Sequence, residues 1–594
     1  MPYVVTRACC ADASCVVACP VNCLHPAPGE PGFAEAEMLH VDPDACVGCG
    51  ACATACPVDA IKPHTQLSLA EMPFLEANAA YFETNPHPDR TPVARVPEQR
   101  RLRSGRPVRV AVVGAGPAGL YAADDLLRHP EVSVDVLDRL PTPHGLVRAG
   151  VAPDHPDTKR VQRLFERIES QPGFRYLLGV SVGTDEDVAA ERADVSAAEL
   201  REHYDAVVWA VGAASDKRLG IPGEDLDGSV SATELVGWYN GHPDLVDLPV
   251  DLASPRGGPG EEPDDGGSRA VVVGTGNVAL DVARVLTADP ARLRATDVAG
   301  LAWAELASST VTEVVVLGRR GPAEAAFSLP EILGLEVLAA PEDGIDVLLE
   351  TGAWPLPAAD TPRGRALARL AAARPRGPLP DGRPRRRVVL RTGAVPVAVL
   401  GEERVRAVEV ETTRPAADGR PLPTGEVSLL PARLLVRAVG WFGRPVADLP
   451  HDEETGAVVH EDGSVAARPQ DFVVGWAKRG PRGTIGANKA CAQETVSSLL
   501  DRLDAVTHRV AGAGAAGLDD LLADRGVEVV DLAGWRAIDA EERRRGQAAG
   551  RARCKVVEPE EMLRLARRAA SAPAHREGLL GRYARRRRRS VPTG

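Results

Sequence analysis

Nine of the eleven cysteines lie between Cys9 and Cys56, and their spacing is the strongest chemical signal in the chain. Cys46, Cys49, Cys52 and Cys56, followed by Pro57, repeat the C-x2-C-x2-C-x3-C-P run of bacterial ferredoxins. In that run three thiolates grip one iron-sulfur cluster and the fourth crosses to its neighbour. A zinc site would use one tetrahedral set but would leave the proline and a second, related run unexplained. That second run is Cys9, Asp12, Cys15 and Cys19 followed by Pro20, with the same spacing and one thiolate replaced by a carboxylate. Crossed ligation assigns Cys19, Cys46, Cys49 and Cys52 to one [4Fe-4S] centre and leaves Cys9, Cys15 and Cys56 for another. Carboxylate oxygen is a harder and poorer ligand for iron than thiolate, so the corner nearest Asp12 is expected to be weakly held. The second centre is then [3Fe-4S], or a second [4Fe-4S] if Asp12 binds the fourth iron. Cys23 aligns with Ala60 of the other repeat and Cys10 with no ligand position, so both are expected in the core. Cys491 and Cys554 are isolated and read as structural.

Two glycine turns supply the second chemistry. Gly114, Gly116 and Gly119 follow an apolar strand and open a helix, and a second strand ends at Asp138, 24 residues after Gly114. The first two glycines allow a tight turn and a close pyrophosphate, the third allows helix against strand, and the helix amides face phosphate. Asp138 is placed to accept a ribose hydroxyl. The order repeats at Gly274, Thr275, Gly276, Asn277, Val278 and Ala279. The next informative strand there, residues 311–317, ends in Gly318, Arg319 and Arg320, with residues 297–309 expected to add a helix between. Two arginines at a strand end can clamp a 2′-phosphate, where an acidic residue would favour the unphosphorylated ribose, so NADP is expected over NAD. FAD in the first unit and NADPH in the second divide the work, because flavin takes up a hydride and releases electrons singly.

These elements imply a multidomain chain: an α+β bacterial ferredoxin domain (1–65), a linker rich in Pro and charge (66–107), and two α/β Rossmann-like domains in a glutathione-reductase-like arrangement. The first part of the FAD domain is expected over 108–220, the NADP domain over 221–440, and the second part of the FAD domain with a C-terminal extension and basic tail over 441–594. Residues 255–268 read as an exposed loop and 351–384 as weakly patterned. The length of 594 residues accommodates several cores. A net charge of −13 gives no broad electrostatic reason to bind nucleic acid. The basic run 585–589 reads as a solvated tail. No segment has the apolar length to cross a bilayer, and the first residues lack a signal core, so membrane insertion is not expected and a cytoplasmic location is.

From 108 to about 500 the chain resembles the adrenodoxin reductase type of ferredoxin-NADP reductase, and as a whole it is similar to the mycobacterial form with a ferredoxin fused in front. The motifs that carry the resemblance begin at Gly114, Leu140 (Leu-Pro-Thr-Pro-His-Gly-Leu-Val), Gly150 (Gly-Val-Ala-Pro-Asp-His-Pro), Gly274, Gly318 (Gly-Arg-Arg-Gly-Pro) and Gly475 (Gly-Trp-Ala-Lys-Arg-Gly-Pro-Arg-Gly-Thr-Ile-Gly-Ala-Asn-Lys). The resemblance implies FAD against Ala115, Asp138, Leu146, Val182, Trp476, Gly483, Thr484 and Ile485. It implies NADPH against Thr275, Gly276, Asn277, Val278, Arg319, Arg320, Glu331 and Gly483. It also puts Trp476 beside the flavin, and Asp154 and His155 near the isoalloxazine, where the histidine arranges or protonates the redox centre. Read without it, both are ambiguous: Pro-Asp-His-Pro fits a simple hydrogen-bonded turn as well as a site, and Trp476 fits a core aromatic equally well. This family usually carries a second acidic residue one turn beyond the equivalent of Glu331, where this chain has Gly334. The hydride step itself requires mainly nicotinamide and flavin in contact.

The implied activity is ferredoxin-NADP(+) reductase: hydride from NADPH to FAD, then single electrons to the fused clusters and to an external ferredoxin or a cytochrome P450 electron-transfer system, reversible in principle. The alternatives are an electron-input subunit of a larger reductase such as glutamate synthase, and a non-enzymatic electron-storage or scaffold module. Disulfide-reductase chemistry is unsupported, because no Cys-x2-Cys pair lies near the second nucleotide unit.

Overall fold

The computed structural model describes every residue except 1, 94–101, 104, 214, 254–267, 340–343, 380–381, 383, 467, 506–513 and 572–594. The basic run 585–589 and nearly all of the 255–268 loop therefore lie outside the described residues. Within the N-terminal module, β1 (Tyr3–Val5) and α1 (Ser14–Ala18) are followed by α2 (Ala51–Ala55) and β2 (Ile61–Pro63). β1 and β2 pair antiparallel, Val5 opposite Ile61, which closes the two cysteine runs against each other. Five cysteines of this module are buried: Cys15, Cys19, Cys23 and Cys52 in the core of Val4, Leu24, Leu39 and Val41, and Cys10 in that of Val58 and Ala60. So small a core is marginal without further cross-links, and inorganic centres would supply them.

The span expected to be a linker is only partly one. Pro73–Thr84 forms a helix, α3, because Pro73 opens it and Phe74, Ala77 and Asn78 share a face that packs on the ferredoxin module. Buried Asn78 accepts the Val5 and Val41 N–H groups (3.1 and 2.9 Å) and donates to the Val5 carbonyl (2.9 Å). α3 is thus part of the ferredoxin domain. Beyond it the chain does lie along its neighbour, with Arg90 on Asp42 (2.9 Å) and Asn22 on the Asp89 carbonyl (3.2 Å).

The first nucleotide unit contains β3 (Val108–Val113), α4 (Pro117–Leu126), β4 (Val132–Asp138), β5 (Phe174–Leu178) and β6 (Ala206–Trp209). The second contains β7 (Ser229–Ser231), β8 (Arg269–Val273), α5 (Asn277–Thr287), β9 (Glu313–Gly318), α6 (Leu329–Leu338), β10 (Ile345–Glu350) and β11 (Arg386–Thr392). A meander of β12 (Ala394–Leu400), β13 (Ala407–Pro415) and β14 (Pro421–Pro431) follows, then β15 (Leu434–Arg437). β16 (Asp471–Val473) and α7 (Ala487–Ala505) return the chain to the first unit. The expected extra helix is present as Gly300–Ser308, and the weakly patterned 351–384 region contains a helix, Pro362–Ala372.

Strands β5, β4, β3, β6 and β16 are neighbours in that order, all parallel. This is the doubly wound order in which strand 1 sits at the switch point and its turn faces a crevice. The second sheet runs β7, β15, β8, β9, β11, β10, again parallel, with β8 inside. β3, β4, β8 and β9 are almost wholly buried, as strands covered on both faces must be. The meander β12–β14 forms a separate antiparallel sheet within the span expected for the NADP domain. Buried Lys159 and Lys555 both reach Asp297 (2.7 and 3.2 Å), tying the C-terminal extension and both nucleotide units at one point.

Candidate active site

Both glycine turns have the geometry that their spacing implies. Gly114 has φ +112°, and a Cβ there would lie 2.4 Å from the Ala210 carbonyl oxygen at the end of β6. Gly274 has φ +123°, and its Cβ would lie 2.2 Å from the Ala438 carbonyl oxygen after β15. Each turn is therefore pressed on the strand next to its own, and only glycine fits in both conformation and space. Gly119 lets α4 lie on β3, since a Cβ would meet the Gly114 carbonyl at 2.1 Å. In contrast a Cβ on Gly276 would meet nothing within 4 Å, and one on Gly116 only Gly145 Cα at 4.0 Å, so space is open where a pyrophosphate lies.

Asp138 closes the first turn: its carboxylate accepts the Ala115 N–H (2.9 Å) and the Leu140 N–H (3.0 Å), and burial raises its pKa. Leu146 and Val211 stand about two-fifths exposed near this turn, 42% and 40%, an apolar surface that a flat ring system would cover. Val182 lies two residues past Val180, whose N–H donates to the Asp138 carbonyl (2.9 Å). From the other side comes the segment before α7. A Cβ on Gly475 would lie 2.5 Å from Ala118 at the start of α4, and Ile485 packs with the core that holds Ala115. Half-buried Trp476 donates to the Arg482 carbonyl (3.1 Å) and its ring lies 4.8 Å from that of Trp441. Ala115, Asp138, Leu146 and Ile485 thus gather at the first turn, whose open space, acidic acceptor and exposed apolar surface fit a dinucleotide.

At the second unit, Arg319 and Arg320 are exposed, and among the described residues neither guanidinium has an ion pair or hydrogen-bond partner. Between the two units lies the most highly charged buried cluster of the site. Arg284, in α5, is 2% exposed. It donates to Asp154 (2.9 Å), Asp281 (2.5 Å), Glu331 (2.7 Å) and His155 Nε2 (2.6 Å). Arginine only donates, so His155 Nε2 must accept and the imidazole is neutral with its proton on Nδ1. Burial, then Arg284 and Arg7, lowers the His155 pKa to about 3, in agreement with that tautomer. Burial opposes ionisation of Glu331, but Arg284 and Arg7 outweigh it and hold its carboxyl at about 2. Burial similarly opposes ionisation of Asp154, which Arg284 nonetheless holds well below the usual carboxylate range. Asp281 goes the other way: burial lifts it to about 7 despite Arg284, with Glu331 and Asp154 adding to the rise.

The four cysteines expected at one cluster face a common space. Cys19, Cys46, Cys49 and Cys52 line one cavity together with Cys23. Cys23 is core, as expected, yet its Sγ is 3.4 Å from that of Cys19. At the other expected site burial, then neighbouring Cys9, Asp12 and Cys56, pushes the Cys15 thiol far up. Asp12 is not free there: its carboxylate accepts the Ser14 hydroxyl and N–H, and Lys489 Nζ lies 3.8 Å away. This second cluster loop rests directly on the segment that borders the first glycine turn. The Cys10 carbonyl accepts the Gly486 N–H (2.8 Å) and the Thr484 hydroxyl (3.3 Å), and Lys489 reaches Ser14 (3.1 Å).

Residues 108–323 match the Pyridine nucleotide-disulphide oxidoreductase family and residues 39–62 the 4Fe-4S binding domain. A "Probable ferredoxin/ferredoxin--NADP reductase" of Mycobacterium tuberculosis is 45% identical, over 98% of this chain and 97% of its own length. The chain belongs to the ferredoxin/ferredoxin-NADP reductase family. A relative of the same name from Mycobacterium leprae is 42% identical over 96% of the chain and 99% of its length. The solved structure of Mycobacterium tuberculosis FprA in complex with NADPH is 38% identical and covers 78% of the chain and all of its own, with a TM-score of 0.68. For a ferredoxin/ferredoxin-NADP reductase, the residues that sequence reasoning missed are Arg284, which gathers the charged cluster, and Arg7, Glu37 and Lys489, which join the domains. The only sequence trace of Arg284 is its place one turn after Asp281, in the helix opened by the second glycine turn.

Proposed function

We propose that this chain takes hydride from NADPH through FAD held at the first glycine turn, and delivers electrons singly to clusters in its N-terminal domain. From there they go to an external ferredoxin or a cytochrome P450 electron-transfer system in the cytoplasm. Relatives named as NADPH-ferredoxin reductases, and the solved relative with NADPH, support this reading. Bound flavin would supply the conversion between a two-electron donor and one-electron acceptors.

The chain's own residues have separable parts. The amides of the 114–119 turn and the carboxylate of Asp138 hold the diphosphate and ribose of FAD, with Leu146, Val182, Trp476 and residues 483–485 around it. The 275–278 turn holds the NADPH diphosphate. Arg319 and Arg320 bind its 2′-phosphate with donors that no side chain among the described residues occupies. Arg284 fixes Asp154, His155 and Glu331 in one orientation, so the face on which nicotinamide must lie is set before it arrives. His155 is then a neutral positioning group: its Nε2 is already an acceptor, and only Nδ1 carries a proton.

One observation carries the proposal: the loop of Cys9, Asp12 and Cys15 is seated on residues 484–489, which border the FAD crevice. Cys9, Cys15 and Cys56 would hold the cluster nearer the flavin, fit to receive electrons first, and Cys19, Cys46, Cys49 and Cys52 the cluster that would pass them out. With Asp12 engaged by Ser14 and Lys489, the first centre is [3Fe-4S] and the second [4Fe-4S]. The test is reduction of an added ferredoxin by NADPH under anaerobic conditions, with the protein reconstituted with FAD and iron. NADPH-dependent reduction that vanishes when FAD is removed is expected; bound FAD that is not bleached by NADPH would overturn the reading.

A further inference from the structure

The N-terminal domain does more than sit beside the FAD crevice, because it also lies on residues that the proposed function gives to NADPH. Glu37 Oε1 accepts from Asn277 Nδ2 at 3.0 Å, at the first residue of α5 and beside the open Gly276. Its other oxygen, Oε2, is buried and has no hydrogen-bond partner. Arg7 pairs with Glu331 at 2.7 Å. A Cβ on Gly334 would lie 2.5 Å from the Arg7 guanidinium carbon, so that glycine, one turn beyond Glu331, leaves the space the arginine fills. A Cβ on Gly483 would lie 3.1 Å from the Ala34 carbonyl oxygen. Three contacts from one domain thus fall on Asn277, Glu331 and Gly483. Arg319 and Arg320, at the 2′-phosphate end, stay exposed and untouched.

Resting on that reading of the site, we propose that residues 33–38 and Arg7 form a built-in gate over the nicotinamide half of the NADPH site, so that nucleotide binding and this docked loop oppose each other. The chemistry is direct competition between anions. The Asn277 side-chain amide, at the helix end that would face the nucleotide diphosphate, is occupied by the Glu37 carboxylate. Burial pushes the Glu37 pKa up to about 7, with Glu331 adding to the rise and Asn277 opposing it, so this carboxylate is poorly compensated where it sits. Coupling is reciprocal: NADPH lifts the loop, and departure of the oxidised nucleotide lets it return. The adenosine half can bind first, on the exposed arginines.

The test uses the oxidised, FAD-loaded full chain and two probes, NADP+ and adenosine 2′-phosphate, which lacks both the diphosphate and the nicotinamide half. Titration calorimetry of wild type and Glu37→Ala is expected to show NADP+ binding about fivefold tighter or more in the variant, at the lower end of ordinary coupling strengths, with adenosine 2′-phosphate binding unchanged. Amide exchange on the wild type supplies a measurement that needs no variant. Saturating NADP+ is expected to speed exchange in 33–38 while slowing it in 274–280. Equal NADP+ affinity in both proteins, or exchange in 33–38 that is unchanged or slowed while 274–280 is protected, would overturn the gate. Absence of any protection in 274–280 would instead overturn the NADPH assignment on which it rests.

Discussion

Replacing Gly486 by alanine should uncouple the clusters from the flavin while leaving hydride uptake intact. No left-handed φ is required at 486, so alanine is tolerated by its own backbone. The space is not: the new Cβ would lie 2.2 Å from the Ala11 carbonyl carbon and 2.3 Å from Asp12 N. Ordinary carbon contacts are about 3.5 Å, so the two backbones must part by roughly 1.3 Å. The 2.8 Å bond from Gly486 N–H to the Cys10 carbonyl cannot survive that movement, and the Thr484 bond to the same oxygen goes with it. Two hydrogen bonds at about 1 kcal/mol each give ~2 kcal/mol of docking free energy. That corresponds to a docked population lower by about 30-fold. Anaerobic single-turnover mixing with NADPH, followed at flavin and cluster absorbance bands, reads both steps. Flavin bleaching should keep its wild-type rate and cluster reduction should slow in proportion to the lost docking. Cluster reduction at the wild-type rate would refute the route through residues 484–489.

Substituting both Arg319 and Arg320 with alanine should weaken NADPH far more than NADH; binding titrations showing equal loss for the two would contradict the phosphate assignment. Arg284→Met leaves Asp154, Asp281 and Glu331 without their shared cation, and chemical denaturation should report a loss of about 3–5 kcal/mol, the range for breaking a buried pair. With Asp281 raised to about 7 by burial and His155 lowered to about 3, an inflection near pH 7 in the flavin-reduction rate should persist in His155→Gln and vanish in Asp281→Asn. The linkage has a matching sign: folded Asp281 keeps its proton above the pH where the unfolded group loses it, so its contribution to stability falls as pH rises from about 4 to about 7. Asp12→Cys should raise iron content toward eight per chain and remove the oxidised [3Fe-4S] paramagnetic signal; eight irons and no such signal in the unsubstituted protein would show that its cluster is already complete.

The parts of the site that were legible in the sequence are those in which one residue type alone meets a local demand. Gly114 and Gly274 combine positive φ with a backbone oxygen closer than any side chain allows, and the cysteine spacing is set by cluster geometry rather than by context. α3 was hidden because Pro73, Glu76 and Glu83 give its neighbourhood a linker composition. What holds it is tertiary, the buried Asn78 amide bonded to strands 73 and 37 residues away. Arg284 was hidden for the same reason: Asp154 is 130 residues from it and Glu331 47, so no spacing rule connects them. Arg7 and Glu37 look like surface charges until the ferredoxin domain is docked, and only then do Gly334 and Asn277 explain them.

The central claim, that electrons reach the clusters only by way of the flavin, is tested most directly by mixing anaerobic NADPH with FAD-loaded and FAD-stripped full-length protein and recording flavin and cluster signals together. Flavin bleaching that precedes cluster reduction in the loaded protein, and no cluster reduction in the stripped protein, is the predicted result. Cluster reduction at an unchanged rate without FAD would contradict it.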